Sequence, residues 1–295
     1  MSQTLHLIGV GKMGLPMALH LKTAGNAVSV SDTSQERLQL ARAQGLTVAS
    51  DTAAALAAAE VVFSSLPTDK ALLAVAAQVA SAARSGCIFV DTSTVSVETS
   101  AAAADVLQAA GVEYLRTTVS GNNKMAEAAQ LTIMASGPQA AYQAVLPLLK
   151  QLGPNQFYLG QAEQARLMKL VVNLMIAQTS AMLAEALTLG RKGGLDWQAM
   201  WSVLGASAVG SPIVKAKSVQ LSQRDFTPTF TVEQMIKDLQ LILGAGQANH
   251  VPLPQTAMTL QLMHAAVAQG DAQDDYAAII KAVERSAGLN PHQQE

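Results

Sequence analysis

The first 160 residues alternate between short apolar, β-rich runs and longer alanine-rich stretches. Eight runs read as strands: LHLIGV (5–10), AVSVSD (27–32), LTVAS (46–50), VVFSSLP (61–67), CIFVDTS (87–93), VEYLRTTVSG (112–121), LTIMASG (131–137) and QFYLG (156–160). Several are apolar at successive positions, as expected of strands covered on both faces. Segments such as PMALHLKTAG and SAAAADVLQAAG lie between them and close on glycine, a common helix stop. The alternation predicts an α/β domain on a mostly parallel, doubly wound sheet. Past Gly160 the texture changes. Residues 162–192 predict one helix of about thirty residues, roughly 45 Å long. The remainder of the chain is helical in pattern, punctuated by GASAVGSP, RDFTPTF, NHVPLP and SAGLNP, with no convincing strand. The expected division is 1–160, α/β, and 161–295, all-α, joined by the long helix.

Composition narrows the picture. The net charge is −2, so there is no electrostatic footprint for nucleic acid or an anionic membrane. The single cysteine, Cys87, permits no intrachain disulfide; it reads as a buried, inert thiol and fits a reducing compartment. The N-terminus lacks a basic region followed by an apolar one, and no run approaches ~18 consecutive apolar residues, so neither a signal peptide nor a membrane span is expected. Cytoplasmic placement is the default. The histidines His6, His20, His250, His264 and His292 show no metal-ligand spacing, and no metal is expected.

The glycine pattern brings chemistry in. Gly9, Gly11 and Gly14 have G-x-G-x-x-G spacing, after a strand and before a helix. Gly9 would allow the tight turn, Gly11 the approach of a pyrophosphate, and Gly14 the packing of helix on strand. The helix N-terminus would then offer N–H groups to the phosphates. This is the signature of a Rossmann dinucleotide site. Asp32 closes the second strand, where an acid bonds the adenosine ribose and repels a 2′-phosphate. NAD is therefore favoured over NADP, although Arg37 stands within a turn and could reach a phosphate.

Carbonyl reduction also needs a proton donor. In LMKLVVNLM (167–175) an otherwise apolar helix carries Lys169, with Asn173 one turn on. Desolvation there would lower a lysine pKa toward the working range. A lysine whose stem snorkels to the surface has the same pattern. The Tyr-x-x-x-Lys arrangement is absent at Tyr114, Tyr142, Tyr158 and Tyr276, and there is no G-x-S-x-G elbow.

Taken together, GVGKMGLPMA (9–18), VDTSTVS (90–96), TVSGNNKMAEAAQLTIM (118–134) with MKLVVN (168–173), and IKDLQLIL (236–243) resemble the β-hydroxyacid dehydrogenase family. That family includes the 3-hydroxyisobutyrate dehydrogenases, tartronate semialdehyde reductases and glyoxylate/succinic semialdehyde reductases. The resemblance implies an oxidoreductase that moves a hydride between a nicotinamide cofactor, NAD(P), and a small carboxylate substrate, a β-hydroxy acid or aldehyde acid. It implies Lys169 as general acid/base. Ser120, Gly121 and Asn122 would anchor the substrate, with Asn173, Phe230 and Asp238. Gly9, Gly11, Lys12, Met13, Gly14, Asp32, Leu66, Pro67, Thr94 and Lys237 would serve the cofactor, Lys237 and Asp238 closing over it. A homodimer or homotetramer is implied as well. Departures stand at Asn122, where many members have glycine, and at Met125 and Ala129. SGNNKMAEAAQL with FYLGQ is most similar to the glyoxylate/succinic semialdehyde reductase branch, which usually prefers NADPH and carries an arginine where Asp32-Thr33 stands. Imine reduction on the same fold and a non-catalytic dinucleotide-binding module are the alternatives; the lysine weighs against both.

Overall fold

A computed structural model describes residues 2–291; His292 lies outside the described residues. Contacts divide the chain into two compact units, Met1–Lys169 and Leu170–Glu295.

The first unit holds strands β1 (Thr4–Ile8), β2 (Ala27–Ser31), β3 (Thr47–Val48), β4 (Val61–Ser64), β5 (Ile88–Asp91), β6 (Glu113–Ser120), β7 (Thr132–Ser136) and β8 (Asn155–Tyr158). Helices α1 (Gly14–Thr23), α2 (Gln35–Ala43), α3 (Thr52–Ala58), α4 (Asp69–Ala82), α5 (Val97–Ala109), α6 (Asn123–Glu127) and α7 (Gln139–Leu149) connect them. All eight strand runs read from the sequence are present but shorter, with β1 and β8 each beginning one residue earlier; LTVAS shrinks to two residues. The sheet order is β3-β2-β1-β4-β5-β6-β7-β8. Pairing is parallel except between β6 and β7. The reason is the connection: a loop and the five-residue α6 are too short for a crossover, so the chain turns back on itself.

Consecutive residues of the central strands feed opposite core layers, as the pleat requires. Leu7, Phe63, Val90 and Leu115 pack into one layer. Ile8, Val62, Phe89 and Tyr114 pack into the other. The core also seals in polar side chains, a histidine among them. His6 on β1 is buried, its Nδ1 2.8 Å from the Ser29 hydroxyl and its Nε2 3.0 Å from that of Ser31. Burial lowers its pKa to about 4.

The sheet order reverses at β1, which lies between β2 and β4, so the C-terminal edge beside β1 is a topological switch point. The loops that leave β1, β2, β4 and β5 gather along that edge.

Helix α8 (Gln164–Lys192) begins in the first unit and runs on into the second. It is long and apolar enough to cross a membrane by length and composition, yet 44% of its most apolar window is buried, and its first turn is tied to the sheet by ion pairs. The second unit continues with α9 (Trp197–Ala206), α10 (Pro212–Leu221), α11 (Val232–Ala248), α12 (Pro254–Ala268), a single 3-10 turn (Tyr276–Ala278) and α13 (Ile279–Ser286). Among its described residues the one extended pairing is an isolated bridge, Thr231 to Asp275. With few aromatics, this unit is pinned by buried charges. Glu284 receives both Arg191 and Arg224, and Lys217 pairs with Asp275.

Candidate active site

The glycine loop leaves β1 at Gly9, whose φ is +91°. A Cβ there would lie 2.4 Å from the carbonyl oxygen of Ser65; one at Gly14 would lie 1.9 Å from that of Gly9. Both glycines are demanded by close backbone approach. Gly11 differs, because a Cβ there would meet nothing within 4 Å. Space is thus left open beside Gly11 while its two companions are crowded. Helices α2 to α6 each begin with a side-chain cap, from Ser34, Asp51, Thr68, Ser96 and Asn122 respectively. Met13 stands at the cap position of α1 and caps nothing, so the first N–H groups of that helix have no capping side chain. An open cradle in front of an uncapped helix start fits a dinucleotide pyrophosphate. Lys12 is exposed at the tip, and Met13 packs partly into the core.

Asp32 follows β2. One carboxylate oxygen accepts from the Val10 N–H and the other from the Ser34 N–H, both at 2.8 Å. The carboxylate is therefore fixed against the glycine loop, and its remaining lone pairs can accept ribose hydroxyls. The cap of α2 is Ser34, so Asp32 is not spent on the helix start.

Leu66 and Pro67 follow β4, and Thr94 follows β5. The Leu66 N–H donates to the Ser93 hydroxyl at 2.8 Å, which ties these two loops together. Ser120 ends β6, and Gly121 turns with φ +138°. A Cβ on Gly121 would come within 2.8 Å of Leu131. The Asn122 side chain caps α6, accepting from the Met125 N–H at 3.0 Å. Its side-chain oxygen is thus engaged with its own helix, which sequence spacing did not reveal.

Lys169 is half-buried on the second turn of α8. The turn before it carries a feature that the sequence pattern did not disclose. Arg166 is fully buried, as is its ion-pair partner Asp91 at the end of β5. Its Nη2 donates to Asp91 and to the Tyr114 hydroxyl, Nη1 to the Ser93 carbonyl, and Nε to the Ser100 hydroxyl. Asp91 also accepts from Ser64 and Ser93. Burial acts to lower the Arg166 pKa, but Tyr114 and Asp91 outweigh it and hold the guanidinium above its ordinary value. Burial pushes the Tyr114 phenol up to about 12. The available signal was a second cation, Arg166, in the same apolar stretch as Lys169, together with an aspartate in VDTSTVS.

In the second unit, Asn173 is buried, and its side-chain N–H donates to Asp238 on α11. Lys237 reaches the same carboxylate at 3.0 Å. Phe230 is half-buried and meets Tyr276 edge to face at 6.2 Å. The structure therefore brings Asn173, Lys237 and Asp238 into one cluster. It gathers the glycine loop, Asp32, Leu66, Pro67, Thr94 and Ser120–Asn122 at the loops of one sheet.

Residues 4–160 match the family described as the NAD binding domain of 6-phosphogluconate dehydrogenase. Residues 164–283 match that described as NAD-binding of NADP-dependent 3-hydroxyisobutyrate dehydrogenase. The chain is 34% identical to 2-(hydroxymethyl)glutarate dehydrogenase of Eubacterium barkeri, over 96% of this chain and 95% of that protein. It is 28% identical to glyoxylate/succinic semialdehyde reductase 1 of Arabidopsis thaliana, over 95% and 98%. The solved structure of Mycobacterium tuberculosis 3-hydroxyisobutyrate dehydrogenase with L-serine superposes with a TM-score of 0.89 at 28% identity, covering 96% of this chain and 99% of that one. The chain belongs to the β-hydroxyacid dehydrogenase family and is an NAD(P)-dependent oxidoreductase of small hydroxy acids.

Proposed function

We propose that this enzyme interconverts a small β-hydroxy acid and its aldehyde acid, with Lys169 as general acid/base. The 2-(hydroxymethyl)glutarate and 3-hydroxyisobutyrate of the relatives' names share a hydroxymethyl group on the carbon beside a carboxylate. That unit is the substrate core we assign, ahead of glyoxylate, succinic semialdehyde and tartronate semialdehyde. The Ser120 hydroxyl and the backbone around Gly121 and Asn122 receive the carboxylate, which needs several converging donors. A bound nicotinamide supplies the hydride acceptor in oxidation and the donor in reduction. Lys169 takes the hydroxyl proton as the C–O bond becomes a carbonyl, and returns it in the reverse direction. Gly9, Gly11, Lys12, Met13 and Gly14 hold the cofactor phosphates, and Leu66, Pro67 and Thr94 flank its reactive end. Asn173, oriented by Asp238, contacts the substrate; Phe230 and Lys237 complete the recognition. The working boundary lies at 160/161, supported by one family match ending at 160 and the next beginning at 164.

The observation that carries this reading is the half-buried Lys169 in the unit that also holds the open glycine cradle and the Ser120–Gly121 turn. The test is a panel of C2–C6 hydroxy and aldehyde acids, with cyclic imines, against both cofactors. Turnover of a hydroxymethyl acid supports the reading; turnover of imines alone refutes it.

NAD is the preferred cofactor in this proposal, because Asp32 holds a fixed negative charge at the end of β2. We also propose a homodimer or homotetramer. Met168, Met175, Met182 and Leu189 recur every seven residues along α8 and are exposed, a stripe suited to a partner helix. A clean monomer by light scattering would remove that assignment. Cytoplasmic placement rests on the one buried cysteine, whose thiol burial pushes up to about 11.

A further inference from the structure

The first turn of α8 is held by more than packing. Arg116 pairs with Glu163. The Thr118 hydroxyl donates to the Ala165 carbonyl at 2.9 Å, and the Ser136 hydroxyl to that of Ala162 at 2.7 Å. Arg166 sits at the centre, and its guanidinium reaches four separate pieces of the sheet unit: β5 through Asp91, the following loop through Ser93, α5 through Ser100 and β6 through Tyr114. Asp91 also accepts from the Ser93 hydroxyl, and that hydroxyl accepts the Leu66 N–H. One continuous chain of hydrogen bonds therefore runs from the helix turn before Lys169 to the loops after β4 and β5.

A dry ion pair is a poor way to gain stability, since an apolar replacement of similar volume is often as stable. What a planar, multiply bonded guanidinium does supply is orientation. We propose that Arg166 is a positioning residue: through Asp91 and Ser93 it fixes the Lys169 turn relative to the Leu66–Pro67 and Ser93–Thr94 loops. This rests on the roles proposed for Lys169 and those loops. A fixed relation matters because displacement of a catalytic group by about 1 Å can cost ~100-fold in rate.

The test compares the parent with Lys169→Ala, Arg166→Lys, Ser100→Ala and the charge-free pair Arg166→Met/Asp91→Leu. The readouts are kcat and KM for the best aldehyde acid, NADH affinity by fluorescence, and amide hydrogen exchange at 64–67 and 166–170. Arg166→Lys is expected to lose about tenfold or more in kcat, with KM and NADH affinity changed by less than about threefold. Exchange in both segments rises together. Ser100→Ala, which removes a single acceptor, shifts both readouts in the same direction by about threefold. The charge-free pair, folded, stays as slow as Arg166→Lys. A folded Arg166→Lys or charge-free variant with kcat within about twofold of the parent overturns the proposal. If neither folds, Ser100→Ala decides: unchanged kcat and exchange refute it. A parent without turnover refutes the functional reading at the parent itself, and exchange in Ser100→Ala then decides the coupling alone.

Discussion

Two cations stand on successive turns of α8, and the fold treats them in opposite ways. Arg166 is sealed from water, and each guanidinium nitrogen is bonded, to Asp91, Tyr114, Ser93 or Ser100. Lys169 is left half-buried. The chemistry of the two side chains explains the division. Arginine cannot be deprotonated in a protein, so a dry site can rely on its charge and its fork of donors. Lysine can lose its proton when its surroundings favour it, so it belongs where a proton can arrive and leave. In the proposed mechanism one charge serves architecture and the next serves the reaction.

The contrast can be broken from either side. Arg166→Met leaves Asp91 buried without its cation, and about 4–5 kcal/mol of unfolding stability should be lost. Denaturant unfolding checks this; a loss below about 1 kcal/mol would mean the pair is not sealed as described. Lys169→Met should do the reverse, with stability retained while kcat falls about 10³-fold, or ~4 kcal/mol. Steady-state kinetics alongside a melting curve separates the two. His6 sharpens the point with a third case, a buried titratable group held neutral. Its folded pKa of about 4 lies below the ordinary 6.5, so between those values the unfolded chain binds more protons and stability rises with pH. The contribution is whole above about pH 6.5 and is lost on acidification, ~3 kcal/mol by pH 4. His6→Asn should flatten that part of the stability–pH curve. The smallest effect concerns a fixed anion. Asp32→Asn should move the NAD/NADP ratio of kcat/KM about tenfold toward NADP, ~1.4 kcal/mol. A ratio that does not move would release Asp32 from cofactor choice.

Much of this was legible in the chain. Apolar runs broken by Gly-capped helices gave all eight strands, because strands buried on both faces need that composition. The glycine spacing located the cradle, since only backbone contacts within 2.5 Å force Gly9 and Gly14. The turn-back of β7 on β6 was not visible, because pairing sense depends on how far the connection can travel, not on periodicity. The Arg166–Asp91 pair escaped for a related reason. Its members are 75 positions apart, and only the folding of the first unit brings the start of α8 to the end of β5. The α6 cap formed by the Asn122 side-chain oxygen was not legible either, because a local bond of that kind leaves no mark in the motif spacing.

The central claim is that the Lys169 amine carries the proton. Chemical rescue tests it most directly: Lys169→Ala assayed with added primary alkylamines of graded basicity. The account predicts that amines restore turnover saturably, with a rate that depends on amine pKa, while NADH affinity stays that of the parent. Substrate and NADH bound as in the parent, with turnover that is either undiminished without amine or unmoved by it, would contradict the claim.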